Sequence, residues 1–371
     1  MGGTTPLEGR RLYFVGIGGS GMSAYANIAR AWGAEVRGWD VGETIFTKTL
    51  DGVDLDLGGE PCPPDGYEVV VSTGHRDRID GTSRAAFLAE LVAARDAIVV
   101  TGAHGKTTTT GMIAHALRAA GRDPAWIVGG VIPQLGGNAG GGDGPLVVEG
   151  DESDRSVFAL RPRVGVVTNV ELDHHATYGS VEDLRDALDA WLAAAPESVR
   201  GWELAPYDGP LAVPGAHNRE NAACALEALL RVGVDESEAR AGIESFTGAE
   251  RRFELVGERG GVTVIDDYGH NPTELRAALE TARERTEGRL VAVYVPHVVE
   301  RTRHLHHELG AALGLADVAV VTDFVAQRDA SREGVTGRLV LDVVRRGDVV
   351  VTLGVGEPWR AARAILAGLP A

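Results

Sequence analysis

The sequence predicts an α/β protein of three domains, and two observations lead to this prediction. Strand-like apolar runs alternate with helical patterns along almost the whole chain, which is typical of parallel strands connected by helices. Two of the runs, 11–15 and 97–101, are each followed by a glycine-rich loop and a helical pattern. A length of 371 residues fits two or three domains. We therefore predict domains at 1–96, 97–247 and 248–371.

Each predicted strand is a short run of β-branched or aromatic residues, and each predicted helix has apolar residues at helical spacing. In the first domain this pattern gives strands at 11–15, 34–40 and 67–72 and a helix near 20–32. In the second it gives strands at 97–101, 145–149 and 164–168 and helices at about 106–120 and 218–231. In the third it gives strands near 262–266, 290–295, 317–322 and 348–353. Gly-rich 136–144 is expected to be a flexible loop and Pro-rich 196–214 to be irregular.

The charge balance excludes two classes of function. With 53 acidic and 36 basic residues, the net charge of −17 argues against a nucleic-acid or membrane-surface binder. No apolar stretch approaches the length of a membrane helix, so no membrane insertion is expected. Cys62 and Cys224 form neither a metal-ligand spacing nor a disulfide framework. We expect a soluble, cytoplasmic monomer or homodimer.

The loop after the strand at 97–101 has the pattern of a phosphate-binding loop. Residues 101–110 read TGAHGKTTTT, and the backbone N–H groups of such a loop bind phosphate oxygens together with the helix N-terminus. Lys106 would reach the β- and γ-phosphates, and Thr107 would offer its hydroxyl to Mg²⁺. A glycine turn without a ligand is the alternative. However, only Lys48 and Lys106 are lysines among 36 basic residues, and this favours nucleotide binding.

Carboxylates, histidines and asparagines follow later strands. In EGDESD, Glu149 ends a strand and is the best candidate for a divalent-cation ligand. The other acidic residues of this motif are expected to be solvated or to cap the segment that follows. Asp173 and His174 follow the next strand, and a carboxylate and an imidazole at a strand end suit a second Mg²⁺ or a bound phosphate. The alternative is a pair of histidines with a structural role. Asn218 and Asn221 share a helix face that suits a base edge, although asparagine also caps helices. Other polar residues follow strands of the third domain: Asp266, Asp267, His270, His297, Arg301 and Arg303.

Taken in order, the motifs GIGGSGM, GAHGKTTTT, EGDESD, TNVELDHH, GAHNREN, RRF, DDYGHNPTE and PHVVERTR resemble the Mur ligases, from about residue 11 to 357. The resemblance implies a Rossmann-like UDP-binding domain, a central P-loop ATPase domain with a mainly parallel sheet, and a Rossmann-like C-terminal ligase domain. It also implies ATP and Mg²⁺ as cofactors, with L-alanine joined to the lactyl carboxylate of UDP-N-acetylmuramate through an acyl phosphate.

The resemblance also implies roles for individual residues. Catalytic roles would fall to Lys106, Glu149, Asp173, His174 and His270. ATP would be bound by Gly102, His104, Gly105, Lys106, Thr107, Thr108, Asn218, Asn221, Arg252 and Asp267. Mg²⁺ would be held by Thr107, Glu149 and His174. The UDP-sugar would be bound by Gly18, Gly19, Gly21, Met22, Asp40, Ser72 and Thr73. The amino-acid substrate would be bound by His297, Arg301 and Arg303.

The chain departs from the family pattern in three places. It is shorter in all three domains, it has Val298 where the family often has arginine, and 72–78 lacks the usual small apolar run. Two alternatives follow from these departures. One is a related ligase that uses another amino acid or a peptide, and Val298 favours it. The other is a non-catalytic protein that binds nucleotide and UDP-sugar, against which Lys106, Glu149 and His174 together argue. A dehydrogenase is the least favoured reading.

Overall fold

The computed structural model describes residues 6–44, 46–50, 52–172, 177–296, 299–322, 347–355 and 358–369. Two compact units are present, the first formed by residues 1–212 and 220–247 and the second by 213–219 and 248–371. The first unit contains two β-sheets and the second contains one. In the part of the chain that is described, no helix is both long enough and apolar enough to cross a lipid bilayer.

The first sheet is parallel and has helices packed on it. Its elements are β1 (Arg11–Val15), α1 (Ser20–Ala31), β2 (Glu35–Asp40), β3 (Asp54–Leu57), β4 (Glu68–Val71), β5 (Thr82–Ser83) and α2 (Arg84–Ala93). The strand order is β3-β2-β1-β4-β5. Four of the five residues of β1 are fully buried, as expected for a central parallel strand. Because the order reverses direction between β1 and β4, the loops that follow these strands border a crevice.

The second sheet is parallel except at one edge. Its elements are β6 (Ala97–Thr101), α3 (Lys106–Ala119), β7 (Ala125–Ile132), β8 (Gly137–Gly140), β9 (Leu146–Glu149), β10 (Val164–Val167), α4 (Val181–Ala193), β11 (Glu197–Arg200), α5 (Ala216–Arg231) and α6 (Glu236–Glu244). The order is β11-β10-β6-β9-β7-β8, with only β8 antiparallel to its neighbour. The phosphate loop follows β6, so the C-terminal ends of β9 and β10 lie on either side of it.

The third sheet makes up most of the second unit. Its elements are β12 (Glu254–Arg259), β13 (Val262–Asp267), α7 (Pro272–Arg283), β14 (Leu290–Val295), α8 (Val299–Leu313), β15 (Val318–Val321), β16 (Val349–Gly354) and α9 (Pro358–Gly368). The order is β12-β13-β16-β14-β15, with β12 antiparallel to β13. Helix α7 begins as its sequence predicts, with Pro272 in the first turn and the side chain of Asn271 accepting from the N–H of Glu274.

Two segments differ from the sequence-based expectation. The Gly-rich segment is not only a loop, because Gly137–Gly140 forms β8 and pairs with β7. A Cβ on Gly140 would lie 2.7 Å from Cζ3 of Trp126, so glycine lets the strand pack on this ring. The segment also contacts α1, where Asn138 donates to the carbonyl of Ser20 at 3.2 Å. The Pro-rich segment is likewise partly regular, because it contains β11, which pairs with β10.

Candidate active site

The phosphate loop, residues 102–105, is shaped by two glycines in the left-handed region. Gly102 has a φ of +128°, and a Cβ there would lie 2.8 Å from the carbonyl oxygen of Asn169. Gly105 has a φ of +77°, and a Cβ there would overlap the side-chain oxygen of Asn221. Any other residue at either position would strain the backbone and push a neighbour away. The backbone conformation of the loop and its packing against Asn169 and Asn221 therefore require glycine at both predicted positions.

The loop is fastened to the end of β10 through His104. Its N–H donates to the side-chain oxygen of Asn169 at 2.9 Å, and its carbonyl accepts from the side-chain amide of the same asparagine at 3.0 Å. The hydroxyl of Thr168 donates to the same carbonyl at 2.6 Å. The imidazole Nε2 lies 2.6 Å from the carboxylate of Glu171. His104 therefore fixes the conformation of the loop, and its partner Asn169 is a site residue to which the sequence analysis assigned no role.

Lys106, the first residue of α3, is held by a buried carboxylate. Its ammonium lies 3.0 and 3.1 Å from the two carboxylate oxygens of Glu152 and 2.6 Å from the carbonyl of Gly102. Burial by itself lowers the pKa of Lys106, but Glu152, Glu149 and Asp151 outweigh that effect and raise the pKa. The expectation that Glu152 is solvated or caps a helix is wrong, because only 3% of this residue is exposed.

Thr107 and Glu149 form a pair of hard oxygen donors beside the loop. The Thr107 hydroxyl donates to one carboxylate oxygen of Glu149 at 3.1 Å, and the N–H of Gly129 donates to the other at 2.6 Å. Hydroxyl and carboxylate oxygens are ligands that Mg²⁺ favours, so these residues fit the predicted ion. Asp173 and His174 lie outside the described residues. Within the described ranges, no group of three or more His, Cys, Asp or Glu side chains is arranged to hold a metal.

The remaining predicted ATP-binding residues of this region are buried. Thr108, in the first turn of α3, is 7% exposed. Asn221 is 5% exposed. Its side chain packs against Gly105, because a Cβ added at Gly105 would overlap the side-chain oxygen of Asn221. Asn218 is equally buried but belongs to the second unit, where its side-chain amide donates to the carbonyl of Pro214 at 2.6 Å.

A cavity of about 450 Å³ opens at the crevice of the first sheet. Its lining includes all seven residues predicted to bind the UDP-sugar: Gly18, Gly19, Gly21, Met22, Asp40, Ser72 and Thr73. Asp40 holds the glycine loop in place, because its carboxylate accepts from the N–H of Gly18 at 2.7 Å. The N-terminus of α1 borders the same space, and a helix N-terminus favours an anionic group.

Four further polar residues line the cavity and were missed from the sequence: Ser20, Thr44, His75 and Arg84. Thr44 donates to the carbonyl of Gly18 at 2.8 Å. Arg84 begins α2 and pairs at 3.1 Å with Asp154, in the acidic segment after β9. Burial by itself lowers the pKa of Arg84, but Tyr25, Asp154 and Asp151 together outweigh burial and raise the pKa above its ordinary value. The guanidinium therefore stays charged. No local pattern distinguishes Arg84 from the other arginines of the chain.

In the second unit, the structure brings Arg252, Asp267 and His270 together around Glu274. The guanidinium of Arg252 lies 3.6 Å from the carboxylate of Glu274, and the N–H of His270 donates to that carboxylate at 3.0 Å. Asp267 ends β13 rather than following it. It accepts from the N–H groups of Phe253 at 2.7 Å and Gly269 at 2.6 Å. Burial outweighs Arg252 and these donors and raises the pKa of Asp267 to about 6.

The predicted amino-acid-binding residues are only partly described. Arg301 and Arg303 lie in the first turns of α8, where Arg301 is 8% exposed and Arg303 is exposed. His297 and Val298 lie outside the described residues.

The family comparisons cover all three sheets in order. Residues 11–96 match the Mur ligase family catalytic domain, residues 100–190 the Mur ligase middle domain, and residues 251–365 the Mur ligase glutamate ligase domain. A UDP-N-acetylmuramate–L-alanine ligase of Rubrobacter xylanophilus is 35% identical over 446 aligned positions, which cover 97% of this chain and 100% of the relative. Another, of Kineococcus radiotolerans, is 37% identical, with 94% and 93% covered.

Among solved structures, UDP-N-acetylmuramate-alanine ligase MurC from Thermotoga maritima superposes with a TM-score of 0.79. It is 26% identical, and the match covers 96% of this chain and 98% of that one. This chain is shorter overall than the Rubrobacter relative, because 446 aligned positions exceed its 371 residues, and the shortening of each single domain stays a prediction. The three-domain α/β fold is confirmed as well. The chain therefore belongs to the Mur ligase family.

Proposed function

We propose that this protein is an ATP-dependent, ADP-forming ligase that joins L-alanine to the lactyl carboxylate of UDP-N-acetylmuramate, in the synthesis of peptidoglycan precursors. The observation that carries the proposal is the phosphate loop, with Lys106 at the start of α3 and Glu149 at the end of the neighbouring strand. The full-length relatives that bear this activity in their names support the same substrates. We expect a cytoplasmic location because both nucleotide substrates occur there.

ATP would bind with its phosphates on the loop and the N-terminus of α3. The N–H groups of Gly102 and Gly105 and the ammonium of Lys106 would bind and neutralise the phosphate oxygens, and His104, whose N–H donates to Asn169, would fix the loop around them. Thr107 and Glu149 would hold Mg²⁺, with His174 as a further proposed ligand. A bound Mg²⁺ would withdraw charge from the phosphate oxygens and orient the γ-phosphate. Phosphoryl transfer depends mainly on such positioning and charge neutralisation.

The UDP-sugar would occupy the cavity of the first sheet. Its diphosphate suits the glycine loop at the N-terminus of α1, where Arg84 adds a positive charge. We propose that Gly18, Gly19, Gly21 and Met22 contact the phosphates and that Asp40, Ser72 and Thr73 contact the nucleoside. From the second unit, Arg252, Asp267, His270 and Asn218 are proposed for ATP, and His297, Arg301 and Arg303 for the amino acid.

The reaction would proceed in two balanced steps. A lactyl carboxylate oxygen attacks the γ-phosphorus, the bond to the bridging oxygen breaks, and ADP leaves with that electron pair. The unprotonated amine of L-alanine then attacks the acyl carbon. After the carbon–oxygen bond to phosphate breaks and the nitrogen loses a proton, the amide and inorganic phosphate remain. In the first step Lys106 compensates the charge that develops on the transferred group.

The test is ADP release by the purified protein with Mg-ATP, UDP-N-acetylmuramate and one amine at a time, with the amide product identified by mass. L-alanine, glycine, L-serine, D-alanine and a muramyl-type tripeptide make up the panel. We expect release that requires both the UDP-sugar and L-alanine. Release only with another amine would overturn the choice of amino acid, and no release with any amine would overturn the ligase assignment.

Lys106→Met supplies the variant for this assay, and Lys48→Met is its matched control. These are the only two lysines of the chain, and Lys48 is exposed. We expect Lys106→Met to abolish ADP release while leaving UDP-sugar binding intact, and Lys48→Met to behave as wild type. Equal loss of turnover and UDP-sugar binding in Lys106→Met would contradict separate binding regions for the two nucleotides.

A further inference from the structure

Glu152 is the most deeply buried carboxylate near the phosphate loop, and the proposed reaction has not assigned it a role. It follows β9 in the acidic segment and is 3% exposed. The Thr101 hydroxyl, at the end of β6, donates to one of its carboxylate oxygens at 3.1 Å. Its backbone carbonyl accepts from the hydroxyl of Tyr178 and from the N–H of Arg155. Both the main chain and the side chain of Glu152 are therefore fixed.

The contacts of Lys106 account for most of its hydrogen-bonding capacity. An ammonium group has three N–H donors and no acceptor. The carbonyl of Gly102, at 2.6 Å, takes one donor, and the carboxylate of Glu152, with its oxygens at 3.0 and 3.1 Å, takes a second. The third donor has only the carbonyl of Ala103, at 3.5 Å, and is the one available to a phosphate oxygen. Removing the carboxylate would leave two donors without a close partner, so the ammonium could rotate away from the direction needed for transfer.

Glu152 also supplies the negative charge closest to this ammonium. The carboxylate of Glu149 is shared with Thr107 and Gly129, which leaves Glu152 as the direct ion-pair partner of Lys106. The pair therefore fixes the direction of the lysine side chain.

We infer that Glu152 is a positioning residue for phosphoryl transfer: its carboxylate orients the Lys106 ammonium so that one N–H is presented to the γ-phosphate. This inference rests on the proposed function of the loop. It predicts that Glu152 acts through Lys106 and has no effect of its own on the UDP-sugar.

The test compares Glu152→Gln with Asp151→Asn. Both changes remove one negative charge from the same segment, but Asp151 is exposed and its carboxylate accepts from the backbone N–H of Ser153. We expect Glu152→Gln to lower kcat by about 10- to 100-fold, the size expected for losing a hydrogen bond to a charged group. KM for UDP-N-acetylmuramate should stay the same. Asp151→Asn should leave kcat unchanged, and Glu152→Asp should recover part of kcat.

A double-mutant cycle separates positioning from a general structural effect. In a Lys106→Met background, Glu152→Gln should not weaken the binding of a non-hydrolysable ATP analogue any further. Additive losses, or a Glu152→Gln variant with wild-type kcat, would overturn the inference. If Glu152→Gln does not fold, Thr101→Val loosens the same carboxylate while keeping its charge. It should lower kcat by a smaller factor, and an unchanged kcat would overturn the inference.

The proposed function can fail independently of this inference. If the wild-type protein binds the ATP analogue but releases no ADP with any amine, the ligase assignment fails. The binding cycle between Lys106 and Glu152 still decides whether Glu152 acts through the lysine.

Discussion

Replacing Gly105 with alanine tests whether the packing of the phosphate loop controls ATP binding. The position has a φ of +77°, where an L-residue costs about 1–2 kcal/mol. An added Cβ would also overlap the side-chain oxygen of Asn221 and lie 2.9 Å from its Cγ. Asn221 is 5% exposed in α5, so it has little room to move. The substitution therefore adds a displacement of the loop to the backbone strain.

Gly121, just after the other end of α3, provides the matched control. It has a φ of +69°, but a Cβ there would have no neighbour within 4 Å. Both alanine variants should lose a similar amount of stability from the backbone. Only Gly105→Ala should weaken binding of a non-hydrolysable ATP analogue, by at least about tenfold, which corresponds to about 1.4 kcal/mol. Calorimetric titration should show unchanged UDP-N-acetylmuramate binding in both. Equal ATP affinity in the two variants would show that the contact between Gly105 and Asn221 does not control ATP binding.

Three further predictions concern metal binding, pH and the cavity. Glu149→Gln should raise the Mg²⁺ concentration for half-maximal activity by at least about tenfold, since it removes a proposed ligand; an unchanged Mg²⁺ dependence would argue against that role. The pKa of Asp267 in the folded protein, about 6, lies above its ordinary value of 3.8, so protonation favours the folded state. This stabilisation is complete below a pH of about 4 and is lost as the pH rises through about 6, a difference of about 3 kcal/mol. An NMR titration of its carboxyl carbon should have its midpoint near pH 6, whereas a midpoint near 4 would contradict the burial argument. Arg84→Met should raise KM for the UDP-sugar by about 10- to 100-fold and leave KM for ATP unchanged; a reversed pattern would remove Arg84 from the cavity's function.

The sequence was sufficient for the elements whose signal is local. Runs such as RLYFV and AIVVT are buried on both faces and became central strands. Asn271 and Pro272 mark the start of α7 because a capping side chain and a fixed φ act within one turn. The glycine loops were identifiable for the same reason. Their positive φ values and the residues that follow them are properties of a few adjacent positions.

What the sequence did not reveal depends on contacts between distant segments. The strand at Gly137–Gly140 has no apolar pattern, and its pairing depends on Trp126 and on α1. Glu152 and Asp154 belong to one acidic cluster in the sequence, but the first is buried against Lys106 and the second reaches Arg84. Burial of one carboxylate in four is decided by tertiary packing. Composition and spacing carry no information about it.

The most direct test of the central claim, that this chain activates a carboxylate as an acyl phosphate, is an isotope-transfer measurement. UDP-N-acetylmuramate labelled with ¹⁸O in its lactyl carboxylate is turned over with Mg-ATP and L-alanine, and the inorganic phosphate is analysed by mass. We expect one labelled oxygen in each phosphate released, because the carboxylate oxygen that attacks the γ-phosphorus leaves with it. Amide formation with unlabelled phosphate would contradict activation through an acyl phosphate.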